Sequence, residues 1–370
     1  MKVTVSRKEL HDALGIASSA SSTRTALPVL SSIRLEATSA SLSLLGCDGE
    51  MWASAVISAN VESPGAICVQ QKLISDIVSA LSEAHVTLEL VGTSVILKAK
   101  GSGGESEWKL LALPADEFPD IPPMTPTASL TVAAGQLRTA VEGVAFAVGD
   151  DSSRPVLTGV LVQYDGEVLT LVATDTHRLA VHKIQKEGLG DHMKVTVPEK
   201  AFRTVRMLPL APDVALTLSF DDSRMAIDTG YARVVSQLLE GVYPNWERVV
   251  PAEVTRTWTL DRKEFQENVK RIMILARENS NRVRFKGGEG KVIISAQSQD
   301  KGEAKEEVSV IGNNGEIEIA FNGKYVIDAL NALSGEGVQA EMTESSKPAI
   351  LRATENGEDH FCVVMPMAMS

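Results

Sequence analysis

Cysteine is scarce in this chain. The three present in 370 residues, Cys47, Cys68 and Cys362, are odd in number and far apart. They build no disulfide framework and show no metal-ligand spacing. No apolar run approaches the ~18 residues that a membrane-spanning helix needs. Met1 to Lys8 alternates like a strand rather than holding the apolar centre of a secretion signal. Aromatics are 4% of the chain, so platforms for stacking unpaired bases are few. Positive charge is also short: 36 Lys and Arg face 48 Asp and Glu, a net of −12, which excludes a strong global polyanion binder but not a local basic surface. What remains is ordinary for a globular protein, 44% hydrophobic and 23% charged. The length suits two or three domains of roughly 150 residues. A reduced, cytoplasmic setting is expected, with no membrane partner.

What is there is a threefold repeat. Three segments pair a short alternating strand with an amphipathic helix: Val3 to Val5 with Glu9 to Ala17, Ser129 to Val132 with Leu137 to Ala147, and Thr257 to Leu260 with Phe265 to Ala276. Val5, Val132 and Leu260 lie 127 and 128 residues apart. A second helix follows in each unit, around Lys72, Lys200 and Lys324, which are 128 and 124 residues apart. Period-two strands fill the rest, among them Val86 to Leu90, Ala215 to Phe220 and Glu316 to Ile319. Turns are expected at Gly101 to Gly104, Asp221-Asp222, Gly287-Gly288 and Asn313 to Gly315. The first two units close alike, on Phe118-Pro119-Asp120 and Tyr243-Pro244-Asn245, and proline-bearing joints follow. The expected domains are 1–126, 127–251 and 252–370.

Lures for catalysis fail on chemistry. Asp175 and His177 share one strand-to-turn segment, and no Gly-x-Ser-x-Gly elbow supplies a nucleophile. Gly287 to Lys291 echoes a phosphate loop, but Val292 follows the lysine and the full spacing is missing. No catalytic residue, cofactor or metal is expected.

The densest motif is Leu171-Val172-Ala173-Thr174-Asp175-Thr176-His177-Arg178-Leu179-Ala180, joined by the tail Val363-Val364-Met365-Pro366-Met367. With Arg24, Leu27-Pro28-Val29-Leu30, Phe321-Asn322 and Tyr325-Val326, these residues make the chain resemble the bacterial beta sliding clamp family over essentially its whole length. The resemblance implies an α+β fold of three repeated clamp domains, each two helices packed on antiparallel sheets. Two subunits would join head to tail in a six-domain ring that encircles duplex DNA irrespective of sequence. The implied role is a non-enzymatic processivity factor, a homodimer near the nucleoid. Its partners would be the replicative polymerase's catalytic subunit, the clamp loader and other replication and repair proteins that carry a clamp-binding motif.

Carried over residue by residue, the resemblance implies a peptide-binding pocket. Its first wall would be Arg154, Leu157, Thr174, Thr176, His177, Arg178 and Leu179. Pro244, Arg248, Val249, Asn322 and Tyr325 would continue it, and the tail residues Val363, Val364, Met365, Pro366 and Met367 would close it. Apolar side chains would form the cleft, and Arg, His and Asn would orient a peptide backbone. Methionines suit a site that accepts many related peptides. Thr176 stands where the family commonly has glycine. For DNA, the implied residues are Arg24, Lys72 and Lys200, with Arg203 and Arg206 following at helical spacing.

The dimer interface would use Glu105, Glu107, Trp108 and Leu110 from domain one. Ile274, Leu275, Lys301 and Lys305 would come from domain three, with acidic charge on the first strand and basic charge opposite. Over the six helix-bearing windows, 7–24, 69–84, 135–154, 198–208, 261–284 and 322–333, 17 Lys and Arg face 13 Asp and Glu. The remainder holds 19 against 35, so the negative charge sits away from the helices.

Overall fold

Each of the three alternating segments forms a strand that runs straight into a helix. In the computed structural model, which describes residues 1–22, 27–101, 104–185, 192–277, 279–288, 290–298, 300–312 and 315–369, strand Lys2–Ser6 leads into α1 (Arg7–Ser18). Shorter second helices follow, beginning with α2 (Gln71–Ala80). Strand Ala128–Ala133 leads into α3 (Ala134–Ala145), which α4 (Glu199–Met207) follows. Strand Arg256–Asp261 leads into α5 (Arg262–Ala276), which α6 (Gly323–Ala332) follows.

The starts of α1 and α5 share one device. Ser6-Arg7-Lys8-Glu9 and Asp261-Arg262-Lys263-Glu264 both place a capping oxygen three residues before a glutamate. Ser6 Oγ accepts from Glu9 N at 3.5 Å and Asp261 Oδ1 from Glu264 N at 2.7 Å. Each cap satisfies a backbone donor that the first helical turn leaves unpaired. The second helices bury one stripe each: Ile74 and Val78 on α2, Phe202 and Val205 on α4, Val326 and Leu330 on α6.

Compactness groups these repeats differently from sequence similarity. One unit comprises Met1–Arg138 with Val197–Leu238, the other Thr139–Thr196 with Leu239–Ser370. The second repeat is therefore divided. The physical reason is edge pairing, since a sheet edge left open is a row of unsatisfied backbone groups. In the first unit, Met51–Ser58 of repeat one pairs antiparallel with Ala232–Gln237 of repeat two, with Trp52 opposite Val235. This joins thirteen strands into one sheet. In the second unit, Arg178–Gln185 of repeat two pairs with His360–Val364 of repeat three, with Arg178 opposite Val364 and His182 opposite His360. Eight strands are joined there, and a separate four-stranded sheet runs Gly302–Ser309, Lys291–Ser298, Arg282–Gly288, Ile317–Asn322.

Each seam carries an apolar cluster. In the first unit, Val29, Leu30, Leu45, Cys47, Trp52, Cys68, Phe118, Ala226 and Val235 pack together, with Ile121 and Met124 laid against them. In the second, Leu157, Leu161, Val172, Leu179, Val181, Tyr243, Ile350, Phe361 and Val363 do the same, with Trp246 and Val250 alongside. The closing aromatics Phe118 and Tyr243 are thus core residues, and the Tyr243 hydroxyl donates to the Val172 carbonyl at 3.3 Å.

One expected turn is a strand. Gly287 and Gly288 lie within Arg282–Gly288, and a Cβ on Gly287 would stand 2.4 Å from the Trp258 ring. The glycine serves close packing, and the chain reverses after it at Gly290, where φ is +74°. Ser102, Gly103, Asn313 and Asn314 fall outside the described residues. Among the described residues, no helix is long and apolar enough to cross a membrane.

Candidate functional site

The second seam does not close completely. A cleft of about 140 Å³ opens in the second unit, lined by Thr174, Thr176, Arg178, Leu179, Pro244, Trp246, Val249, Val363 and Met365. A single turn builds its mouth. Asp175 Oδ1 accepts from the backbone N–H groups of His177 and Arg178 at 2.9 and 3.0 Å, and Thr174 Oγ1 accepts from Thr176 N at 3.1 Å. This side-chain-to-backbone bonding replaces ladder hydrogen bonds at the strand end. The turn requires a left-handed residue at its second position, and Thr176 supplies it with φ +77°. A β-branched residue is strained there.

Arg178 is the best-held polar group of the cleft. Its side chain is 12% exposed, its Nε donates to Asp175 Oδ2 at 2.9 Å and its Nη1 to Asp328 Oδ2 at 2.6 Å. The guanidinium lies 4.5 Å from the centre of the Tyr325 ring and 5.4 Å from that of Phe146. His177 stacks on Tyr325, ring centres 6.4 Å apart and 20° from parallel. Burial, followed by the nearby Asp175 carboxylate, raises the Tyr325 hydroxyl above its ordinary value, so it stays a neutral donor. The arrangement offers an apolar slot flanked by oriented donors. Asp175 holds the turn through the backbone N–H groups of His177 and Arg178, and the Thr174 hydroxyl is engaged with Thr176 N and the Arg178 carbonyl.

Eight of the seventeen residues expected at a peptide pocket line this cleft: Thr174, Thr176, Arg178, Leu179, Pro244, Val249, Val363 and Met365. His177 and Tyr325 stand beside it through Arg178. Leu157 is buried in the cluster beneath. The other six sit elsewhere. Val364 points to the opposite face of its strand, into an apolar interior with Trp258 and Phe285, because successive strand residues alternate faces. Asn322 is the cap of α6 and accepts from Lys324 N at 3.0 Å. Arg154 is exposed and pairs with Asp151 at 3.2 Å, and Arg248 is exposed on the turn Trp246–Arg248. Pro366 and Met367 belong to a strap: Met365 N donates to the His177 carbonyl at 2.9 Å and Met367 N to that of Ala320 at 2.8 Å.

Sequence reasoning missed Trp246 as a lining residue, although it directly follows Tyr243-Pro244-Asn245. It also missed Asp328, which lies 150 residues from Arg178 and carries no local signal.

The expected DNA residues divide. Arg24 lies outside the described residues. Lys72 is exposed on α2. Lys200, half-buried on α4, is bound to Asp48 at 3.0 Å and Glu50 at 2.9 Å. Burial alone would lower its pKa, but the two carboxylates outweigh that and raise it. Arg203 and Arg206 are exposed and share Glu199 at 2.5 and 3.3 Å.

At the expected interface, Glu105 and Glu107 are exposed, and Glu107 pairs with Lys98 at 3.2 Å. Trp108 is half-buried. Leu110 is an inward core residue at 5% exposure, and Leu111, its outward neighbour, is 81% exposed. Ile274 is 73% exposed and Leu275 half-buried. Lys301 and Lys305 are exposed, and Lys305 lies 3.7 Å from Glu307. Strand Gly302–Ser309 also carries Glu303, Glu306 and Glu307, so its charge is mixed rather than basic.

Comparisons with known proteins agree along the whole chain. Family models described as the DNA polymerase III beta subunit N-terminal, central and C-terminal domains match residues 1–122, 131–245 and 247–368. The chain is 32% identical over 362 residues to the beta sliding clamp of Synechococcus elongatus, covering 95% of each. It is 32% identical over 381 residues to that of Streptomyces coelicolor, covering 100% of each. Two solved structures cover 100% of both chains with a TM-score of 0.93: the Pseudomonas aeruginosa sliding clamp bound to griselimycin, 29% identical, and the Thermotoga maritima polymerase III beta subunit, 27% identical. The chain belongs to the DNA polymerase III beta subunit family, the sliding clamps that serve as non-catalytic processivity subunits of a DNA polymerase.

Proposed function

We propose that two copies of this chain close head to tail around duplex DNA, with domain joints near residues 126 and 251, and that the 174–179 cleft receives short apolar peptide segments of partner proteins. The observation that carries this reading is the cleft itself, whose apolar walls surround an arginine locked by two carboxylates. A slot of about 140 Å³ suits one or two side chains of an extended peptide, not a whole folded surface. The partners fitting this chemistry are the polymerase's catalytic subunit, the clamp loader and other motif-bearing replication and repair proteins. They would take the cleft in turn, in the cytoplasm beside the nucleoid.

Two copies of a threefold repeat close with near-sixfold symmetry when a head-to-tail interface closes on itself. A closed ring converts dissociation into sliding, and a partner that lets go stays near enough to rebind. The helix-bearing windows are mildly positive and the rest of the chain strongly negative. Weak sequence-independent attraction of this kind lets a ring slide, whereas tight phosphate contacts would hold it in register. Lys72, Arg203 and Arg206 are the exposed candidates for that attraction, while Lys200 is already engaged.

The test has two arms. A dye-labelled peptide with Leu and Phe as its apolar residues should bind saturably by fluorescence anisotropy and lose at least tenfold in affinity with Arg178→Ala. Protein loaded on a nicked circular plasmid should co-elute with it and fall off once the plasmid is linearised. Equal retention on circular and linear DNA would replace encirclement by simple surface binding.

A further inference from the structure

The chain beyond Val364 is tied down at four backbone positions, two of them by arginine side chains. After strand His360–Val364 ends, Met365 N donates to the His177 carbonyl at 2.9 Å and Met367 N to that of Ala320 at 2.8 Å. Pro366 between them has no donor to give. The next two carbonyls are taken in turn: Arg282 Nη1 donates to Ala368 O at 3.3 Å and Arg284 Nη2 to Met369 O at 2.7 Å. Terminal residues are loose unless something holds them, and a guanidinium holds a carbonyl more strongly than a neutral donor does.

The sheet explains why these two side chains reach the tail. Ile317–Asn322 is the outer strand of the four-stranded sheet, and Met367 pairs with Ala320 on its outer edge. Arg282–Gly288 is the next strand in, with Arg284 opposite Ala320 and Arg282 opposite Asn322. Directly paired residues of neighbouring strands project from the same face. The small Ala320 side chain therefore leaves Arg284 a path across the outer strand to the tail. Both arginines are half-buried, as are Met365, Pro366, Met367 and Met369.

The cleft depends on what the tail holds. Met365 is one of its lining residues. A methionine side chain turns about three bonds, so it makes a defined wall only where its backbone is fixed. Strand His360–Val364 fixes that backbone from one side, and the Met367, Ala368 and Met369 contacts fix it from the other.

We propose that Arg282 and Arg284 are positioning residues of the cleft, which grip the Ala368 and Met369 carbonyls and so hold Met365 in place as a wall for a bound peptide. This rests on the peptide-cleft reading above and adds two residues that set its affinity from outside. Neither arginine lines the cleft, and both act through the tail. A wall held before the peptide arrives spares the peptide the cost of ordering it.

The test uses the full chain, the labelled peptide described above, and amide hydrogen exchange read on the C-terminal fragment that contains Met365 and Met367. Arg282→Ala with Arg284→Ala should speed exchange there about tenfold and weaken peptide binding about fivefold, with the melting temperature unchanged. A chain shortened by residues 368–370 should show the same two changes. Adding the double substitution to the shortened chain should weaken binding no further, because the arginines then have no carbonyls to hold. Arg282→Lys with Arg284→Lys, which keeps two cationic donors, should recover most of the affinity. Native exchange in the double alanine variant, or a further loss of affinity when it is added to the shortened chain, would overturn the anchoring and leave the cleft reading standing. Faster exchange with unchanged peptide affinity would overturn the role of the strap in binding. A native chain that binds no peptide, while exchange rises as expected in the variant, would overturn the cleft reading and leave the anchoring standing.

Discussion

The two seams of this protein are variations on one design, and their differences explain why only the second holds the 174–179 cleft. Each has a Pro-Val-Leu turn, Pro28–Ser31 or Pro155–Thr158, and an aromatic-proline closing signal. Each starts its seam strand with the same turn. At the first seam, Asp48 Oδ1 accepts from Glu50 N and Met51 N, as Asp175 Oδ1 does from His177 N and Arg178 N. Gly49 N reaches Cys47 Sγ at 3.2 Å, as Thr176 N reaches Thr174 Oγ1. Gly49 and Thr176 both have positive φ, +97° and +77°.

From there the seams diverge. At the first, Ile121 and Met124 lie against the cluster, and Lys200 of α4 neutralises the turn's acids. At the second, Trp246 and Val249 border an open cleft, and the polarity is inverted: the turn carries the cation Arg178 and α6 supplies the acid Asp328. A repeated scaffold is packed shut at one seam and leaves a cleft at the other.

The largest expected effect tests whether the seams are equivalent as cores. Leu30→Ala and Leu157→Ala each remove a buried side chain and should each cost about 2–5 kcal/mol in urea unfolding. Peptide affinity should fall with Leu157→Ala alone, and an equal fall with Leu30→Ala would dissolve the distinction.

Arg178→Ala should come next, at about 2–3 kcal/mol, because it strands Asp175 and Asp328 without their partner. Lys200→Ala, which leaves one well-exposed carboxylate, Glu50, beside Asp48, should cost under about 1 kcal/mol. Equal losses in the two variants would mean that the inverted polarity carries no stability difference.

A reciprocal exchange sharpens the turn comparison. Thr176→Gly should stabilise by about 1 kcal/mol by relieving the left-handed strain, and Gly49→Thr should destabilise by at least as much. Thr176→Gly should also widen the cleft mouth and raise the affinity of peptides with bulkier apolar residues. A fall in melting temperature with Thr176→Gly would show that the hydroxyl or methyl packs well enough to outweigh the backbone cost.

The smallest effect concerns pH and the second seam alone. His182 and His360 face each other across its paired strands, ring centres 4.7 Å apart, and His360 Nε2 lies 3.1 Å from the Gly143 carbonyl. Burial, with His360 adding to it, pulls His182 down to about 4 from its ordinary 6.5, and burial lowers His360 too. Between those pH values the unfolded chain binds a proton that the folded chain refuses, so stability is full above about 6.5 and declines toward pH 4. Urea midpoints at pH 7.5, 6 and 5 should fall less steeply in His182→Gln than in the native chain. Parallel slopes would remove His182 as the source.

Much of this is legible in the sequence. Strand-to-helix units beginning near residues 3, 129 and 257 follow from apolar periodicity and appear as Lys2–Ser18, Ala128–Ala145 and Arg256–Ala276. The 171–180 motif sits at the cleft. The ion pairs of Lys200 were not legible, because Asp48 and Glu50 are about 150 residues away. Gly287 misled because a glycine pair signals a turn unless a ring such as Trp258 needs the space. The inward positions of Leu110 and Val364 follow from parity, since one step along a strand exchanges core for surface, or one face for the other.

The sequence alone determined the strand-to-helix units of the repeat, the caps of α1 and α5 and the turn around Asp175. Each rests on contacts within a few residues, where spacing and side-chain type suffice. Tertiary structure decided which strands of neighbouring repeats join, that one seam is packed and the other open, and that Arg178 and Lys200 each meet two carboxylates, one at each seam. Those outcomes depend on pairs more than a hundred residues apart, whose meeting is set by the packing of whole sheets and leaves no periodic trace in the chain.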